Sequence, residues 1–259
     1  MHMNPPSRNL HLKLIAIIPA RYASSRFPGK PLADIRGKTM IQRVYEQTSR
    51  VIGEVWVATD DIRIEEAVKN FQGRCMLTSV NHESGTDRIK EALDKIEDST
   101  GRQFDVIINV QGDEPFIQPG QIEELIGCFQ DPGAHIATLI KPVANNEEIF
   151  NPNLPKVIKG ANQCAIYFSR SPIPYLRNHP PEEWYHHFPF MKHIGMYGYR
   201  SRALREITRL APSSLEMAES LEQNRWIEQG YRIRTAITHH ENHPIDTPQD
   251  LEQILKTMP

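Results

Sequence analysis

LIAIIPARYASSRFPGKPL, residues Leu14–Leu32, is the stretch whose reading decides the fold. Leu12, Leu14, Ile15, Ile17 and Ile18 make the short aliphatic run of a strand covered on both faces, and Pro19 is expected to end it. Beyond it lies a loop in which Arg21, Arg26 and Lys30 gather positive charge. Its small residues, Ala20, Ala23, Ser24, Ser25 and Gly29, leave backbone N–H groups accessible to anionic oxygens. In an open parallel sheet, ligands bind at the carboxyl ends of the strands, which is where this loop falls. The stretch therefore predicts a phosphate-binding loop on an α/β sheet, although a solvated basic turn has the same composition.

Outward from this stretch, strand and helix patterns alternate. Glu54–Thr59 reads as a second strand, and Ile62, Ala67, Val68 and Phe71 suit a helix after Asp60-Asp61. A third strand is expected at Cys75–Thr78. A helix carrying Ile89, Ala92, Leu93 and Ile96 should follow the loop His82–Arg88, with Arg88 in its first turn. Asp105–Val110 is the next buried strand, and Ile122, Leu125, Ile126 and Phe129 repeat the helix template. This βαβ series predicts a doubly wound sheet. In the second half, short strands around Ala165–Phe168 and Ile194–Tyr199 flank a proline-rich stretch, Ser171–Phe190, suited to a lid or a dimer arm. The capping-box pair Ser213 and Glu216 starts a helix expected to run to Gly230, and Thr247-Pro248 starts another. Gly37-Lys38-Thr39 resembles the end of a P-loop, but the motif's first glycine would fall on Leu32, which disfavours a Walker-type NTPase.

The 259 residues, 39% of them hydrophobic, can bury the core of one large domain with a smaller lobe. Residues 1–11 read as a disordered extension and 12–259 as a single domain. Thirty Lys+Arg against 32 Asp+Glu give a net charge of -2, and no basic stripe carries interleaved aromatics, so nucleic acid is not an expected partner. Cys75, Cys128 and Cys164 match no metal-ligand spacing, which points to reduced thiols in a cytoplasmic protein and away from cysteine-bound zinc. His186, His187, His239, His240 and His243 form no HExxH pair and are expected to be solvated. The first apolar run is too short to span a bilayer and meets Arg21 rather than a signal-peptidase site, so no membrane insertion is expected.

Two acids complete the expected chemistry. Asp113, in VQGDEP, follows a buried strand, where a carboxylate can hold Mg²⁺ against phosphate oxygens; Glu114 is the competing ligand. Asp246, in PIDTP, precedes a helix start and suits either a second metal carboxylate or a plain helix cap.

In that order, IIPARYASSRFPGKPL, HESGTDR, NVQGDEPFI, AIYFSRSPIPY, HIGMYGYR, LEQNR and IDTPQDLE resemble the 3-deoxy-D-manno-octulosonate cytidylyltransferases, the CMP-Kdo synthetases. The resemblance spans nearly everything after Lys13. It implies a Rossmann-like nucleotidyltransferase fold, an α/β doubly wound mixed sheet with a smaller sugar-binding and dimerisation lobe, usually as a homodimer. Residues 12–145 would mainly bind CTP, and 146–259 would mainly serve the sugar and the dimer. The implied activity joins CMP from CTP to an acidic eight-carbon sugar with Mg²⁺, for lipopolysaccharide synthesis in a Gram-negative bacterium.

Residue by residue, the resemblance implies nucleotide contacts at Ala20, Arg21, Lys30, Ser84, Arg88 and Gln111. Of these, Arg21 and Lys30 would act with Asp113 in catalysis, and Asp113 and Asp246 would hold the metal. The implied sugar site is Arg170, His193, Tyr197, Glu222 and Gln223. Arg170 suits a sugar carboxylate, and the others suit hydroxyls. On their own, His193 and Tyr197 read equally as half-buried core, and Glu222 with Gln223 as a solvated helix face. Pro244 and Asn224 depart from the family pattern, the latter leaving open an 8-amino analogue of the sugar. A cytidylyltransferase for sialic acid, and a non-catalytic CTP-sensing module, are the rival readings.

Overall fold

The computed structural model describes residues 12–23, 26–241 and 245–257; the extension at 1–11, the loop residues Ser24 and Ser25, and His243 with Pro244 lie outside the described residues. In chain order the strands are β1 (Leu14–Ala20), β2 (Asp34–Ile35), β3 (Lys38–Thr39), β4 (Val55–Thr59), β5 (Cys75–Leu77), β6 (Val106–Asn109), β7 (Ile136–Pro142), β8 (Lys156–Lys159), β9 (Ala165–Ser169), β10 (Met191–Arg200) and β11 (Ile233–Ile237). Nine of them form one mixed sheet along the path β11-β7-β10-β6-β1-β4-β5, with β8 and β9 branching from β10. β1 runs parallel to β4 and β6, whereas β10 runs antiparallel to both β6 and β7. Among the described residues no helix is long and apolar enough to cross a membrane.

The aliphatic run of β1 is continuous because both its faces are covered. Ala16 and Ile18 enter one apolar cluster, with Val57, Ile108 and Ile122, while Ile15 and Ile17 enter the opposite one, with Ile89, Leu93 and Trp226. This is the period-two alternation of a strand, and each fully buried isoleucine contributes about 1.5–3 kcal/mol. Pro19 does not end the strand, which continues to Ala20 paired with Thr59 of β4. The carbonyl of Ile17 accepts from Val110 N–H, so the proline nitrogen two residues on faces the same side, beyond the last β6 pairing at Asn109. No ladder bond is lost there.

The second half extends this sheet. The strands β7 and β11, unforeseen in the sequence, carry it past β10. The helix expected from Ser213 to Gly230 is two helices, Ser214–Glu219 and Glu222–Glu228. They part at Ser220, whose φ of 51° is left-handed. Arg170 stabilises the break: its Nε donates to the Glu219 carbonyl at 2.7 Å and Nη2 to that of Ser220 at 3.3 Å. Carbonyls freed at a helix C-terminus need such donors. Gly37-Lys38-Thr39 lies in the β2–β3 ribbon, where Thr39 caps the helix Met40–Ser49.

Candidate active site

A cleft of about 500 Å³ opens beyond the carboxyl ends of β1 and β6. All eight residues expected to meet nucleotide or metal line it: Ala20, Arg21, Lys30, Ser84, Arg88, Gln111, Asp113 and Asp246. Three loops and a helix terminus supply them. Gly29 N–H donates to the Tyr22 carbonyl at 2.9 Å, closing the cationic loop on itself. Gly29 has φ +72°, left-handed backbone that a side chain would strain. Gly112 answers a different need: a Cβ there would stand 2.8 Å from the Pro19 carbonyl oxygen. Glycine alone lets the β1 and β6 loops approach this closely.

Lys30 Nζ lies 2.7 Å from Asp113 Oδ2 and 3.5 Å from Asp246 Oδ1, and Arg26 Nη2 reaches Asp246 Oδ1 at 3.1 Å. One ammonium thus bridges carboxylates far apart in sequence. Asp246 is not the cap of the following helix. Thr247 Oγ1 accepts from Asp250 N–H at 3.2 Å, and Asp250 Oδ2 accepts from the N–H groups of Asp246 and Thr247. The Asp246 carboxylate is left to the cleft, and Ile245 N–H donates to the Asp113 carbonyl at 3.0 Å, tying the two loops together. Two carboxylates on separate loops are hard oxygen donors, a set that fits a divalent cation such as Mg²⁺. Glu114 is buried at 8% exposure and does not line the cleft.

Ser84 caps the helix Gly85–Thr100, its Oγ accepting from Asp87 N–H at 3.1 Å. The cleft therefore faces the positive end of a sixteen-residue helix, a favourable environment for phosphate. Arg88 is only 3% exposed. Its guanidinium donates to Asp60 and to Thr78, both at 2.6 Å, so its charge is balanced by the protein itself. Gln111 Nε2 donates to the Gly195 carbonyl at 3.1 Å, where a register shift between Ile194 and Tyr197 breaks the β10 ladder. A bulge of this kind frees a backbone carbonyl for such use.

Of the residues expected to take a sugar, none lines this cleft, but Glu222 and Tyr197 meet Thr86 and Asn109 next to it. Thr86 Oγ1 donates to Glu222 Oε2 at 2.8 Å, and burial pushes the Glu222 carboxyl above its ordinary value. Tyr197 pairs across the strands with Asn109. The Tyr197 hydroxyl, Asn109 Oδ1 and Gln223 Nε2 are buried without a hydrogen-bond partner among the described residues. Buried polar atoms of this kind call for a ligand or water. His193 packs against Phe168 and Tyr197, and burial pushes its imidazole down to about 3, so it is neutral at pH 7. Thr138 Oγ1 lies 2.8 Å from the Met196 carbonyl and 3.0 Å from His193 Nε2. Its one proton goes to the carbonyl, so Nε2 is the protonated nitrogen of His193. Arg170 is engaged elsewhere: besides Glu219 and Ser220 it donates to the Pro152 carbonyl at 2.9 Å. Asn224 is fully buried and bonds both backbone groups of Phe168, at 3.0 and 3.3 Å. Asn224 thus serves to pack its helix against β9.

His82, which also lines the cleft, and Thr86 and Asn109 beside it escaped the sequence reading. Their motifs were visible, but neither periodicity nor charge marked them, and only folding brings them to the site.

An open α/β sheet with cation-bridged carboxylates at its carboxyl edge is the architecture of a nucleotidyltransferase, and the sequence profile of the cytidylyltransferase family matches residues 15–237. A 3-deoxy-manno-octulosonate cytidylyltransferase of Parabacteroides distasonis is 56% identical over 248 residues, covering 94% of this chain and 97% of the relative. That of Phocaeicola vulgatus is 56% identical over 243 residues, covering 93% and 95%. A solved CMP:2-keto-3-deoxy-manno-octonic acid synthetase complexed with CTP is similar at TM-score 0.86 and 45% identity, over 94% of this chain and 97% of that one. The chain belongs to the 3-deoxy-manno-octulosonate cytidylyltransferase family.

Proposed function

We propose that this protein transfers CMP from CTP to the anomeric 2-hydroxyl of 3-deoxy-D-manno-octulosonate, releasing pyrophosphate. The observation that carries the reading is the meeting of Lys30, Asp113 and Asp246 in one cleft at a helix N-terminus. Asp113 and Asp246 would hold Mg²⁺, which supplies charge neutralisation at the phosphates when bound. Arg21 and Lys30 stabilise the charge that gathers on the departing pyrophosphate. Ser84 and the helix behind it orient the phosphate chain, with Ala20 as the close backbone wall. Gln111 and Arg88 set the base side. The sugar hydroxyl bonds to the α-phosphorus as the bond to the β-phosphate oxygen breaks, so the electron pair leaves with pyrophosphate and the hydroxyl proton is released. Positioning and charge carry the reaction, and no enzyme nucleophile is needed.

Tyr197, His193, Glu222 and Gln223 would take the sugar hydroxyls, a role supported by the orphaned polar atoms around Asn109. Arg170 meets the sugar carboxylate in this reading by exchanging one of its carbonyl partners. The protein works in the cytoplasm as a homodimer, supplying lipopolysaccharide synthesis. The test is incubation with each nucleoside triphosphate, Mg²⁺ and either 3-deoxy-D-manno-octulosonate, its 8-amino analogue or sialic acid, with products identified by mass. Formation of the CMP adduct of the first sugar is expected. CTP binding without pyrophosphate release would overturn the reading.

A further inference from the structure

The proline-rich segment between β9 and β10 carries a cluster that the transfer reaction does not use. Ligand atoms of His179, Glu183 and His187 all lie within 4.8 Å of one another. Glu183 and His187 sit four residues apart on a 3-10 turn, Pro181–Glu183, and the short helix Trp184–His187 that continues it, and the bend before Pro180 brings His179 alongside them. His187 Nε2 stands 3.4 Å from Glu183 Oε2, and the rings of His179 and His187 stack with centroids 3.6 Å apart.

The backbone beneath is held. Trp184, 3% exposed, packs with Val143, Ile149 and Phe190 in a separate small core, and its indole Nε1 donates to the His179 carbonyl at 3.0 Å. Asn146 grips the turn from outside, donating to the Pro181 carbonyl at 3.1 Å and accepting from Tyr185 N–H at 3.2 Å. The three ligating groups therefore ride on a fixed turn.

We propose that His179, Glu183 and His187 form a binding site for Zn²⁺, separate from the carboxylates of the cleft. Zinc takes imidazole nitrogen at about 2.0–2.1 Å and carboxylate oxygen at about 2.0–2.2 Å, so the corners of a tetrahedral site stand about 3.3–3.5 Å apart. The His187–Glu183 separation matches such an edge. His187 keeps its approach to Glu183, and His179 aims a nitrogen at the shared ion by turning about Cβ–Cγ out of the stack. Two nitrogen donors favour Zn²⁺ over Mg²⁺, which prefers oxygen, and the fourth corner is left to water.

The test is equilibrium dialysis of the full chain, first stripped with chelator, against Zn²⁺ in excess Mg²⁺, with bound metal counted by mass spectrometry. Wild type should retain one more zinc per chain than His179→Ala/His187→Ala, and Zn²⁺ should raise the melting temperature of wild type but not of that variant. Glu183→Gln, a one-atom change in an exposed side chain, should weaken zinc binding by about tenfold or more. His239→Ala/His240→Ala should bind as wild type does. Equal zinc content in wild type and the His179→Ala/His187→Ala variant, or unchanged affinity in Glu183→Gln, would overturn the site.

Discussion

Thr86 donates its hydroxyl proton to Glu222 at 2.8 Å, joining the helix Gly85–Thr100, whose N-terminus faces the cleft, to the helix Glu222–Glu228. Burial, the largest influence, raises the Glu222 carboxyl above its ordinary 4.5. The unfolded chain therefore loses this proton first. Stability from Glu222 is fully present below about 4.5 and is lost as pH rises through the folded value. Glu222→Gln should be at least as stable as wild type at pH 7, by thermal unfolding, yet show a raised KM for the sugar. A destabilised variant with an unchanged sugar KM would remove Glu222 from recognition.

In the proposed reading Asp113 holds the metal, and Asp113→Asn removes that charge while keeping the shape. Turnover by Asp113→Asn should fall on the order of 100-fold or more, with a much smaller change in CTP binding. Pyrophosphate release measured across a Mg²⁺ titration checks this. An unaltered Mg²⁺ dependence would refute the assignment.

Gly112→Ala places a methyl group 2.8 Å from the Pro19 carbonyl oxygen. The loops must part to admit it, at a cost of about 1–3 kcal/mol. A lowered melting temperature together with weaker CTP binding is expected, and unchanged CTP affinity by calorimetry would count against the close approach.

His193 titrates in the opposite sense to Glu222. Its folded value is held down to about 3 by burial, below the ordinary 6.5. As pH falls below 6.5 the unfolded chain binds a proton that the folded one refuses, so stability declines by about 1.4 kcal/mol per pH unit from this one group. His193→Gln should lack that component. Urea unfolding of both proteins between pH 4 and 7 gives the two slopes, and parallel slopes would show that His193 is protonated while folded.

The first half of the fold was legible because its strands are buried on both faces and its helices keep a strict apolar period, as in Ile89, Ala92, Leu93 and Ile96. The cleft was legible for a related reason: the loop that carries Lys30 and the turn that carries Asp113 each leave the end of such a strand. The strand β11, with Arg234 and Thr235 in its middle, has no comparable signature, since its pairing with β7 is a tertiary choice. The break at Ser220 was hidden for the same cause, because its stabilising guanidinium comes from Arg170. At Asp246 the residues alone left a metal carboxylate and a helix cap equally open, because its loop is tied by the Ile245 N–H to the Asp113 carbonyl, a partner distant in sequence.

That Ile245–Asp113 bond has a consequence for biosynthesis. The sheet has all its strands once the chain has been made through Ile237, yet the cleft acquires its second carboxylate only after synthesis passes Asp246 and the Pro248–Thr257 segment docks. A nascent polypeptide can therefore hold a finished scaffold while still lacking half of its anionic pair. Competence for chemistry arrives after architecture.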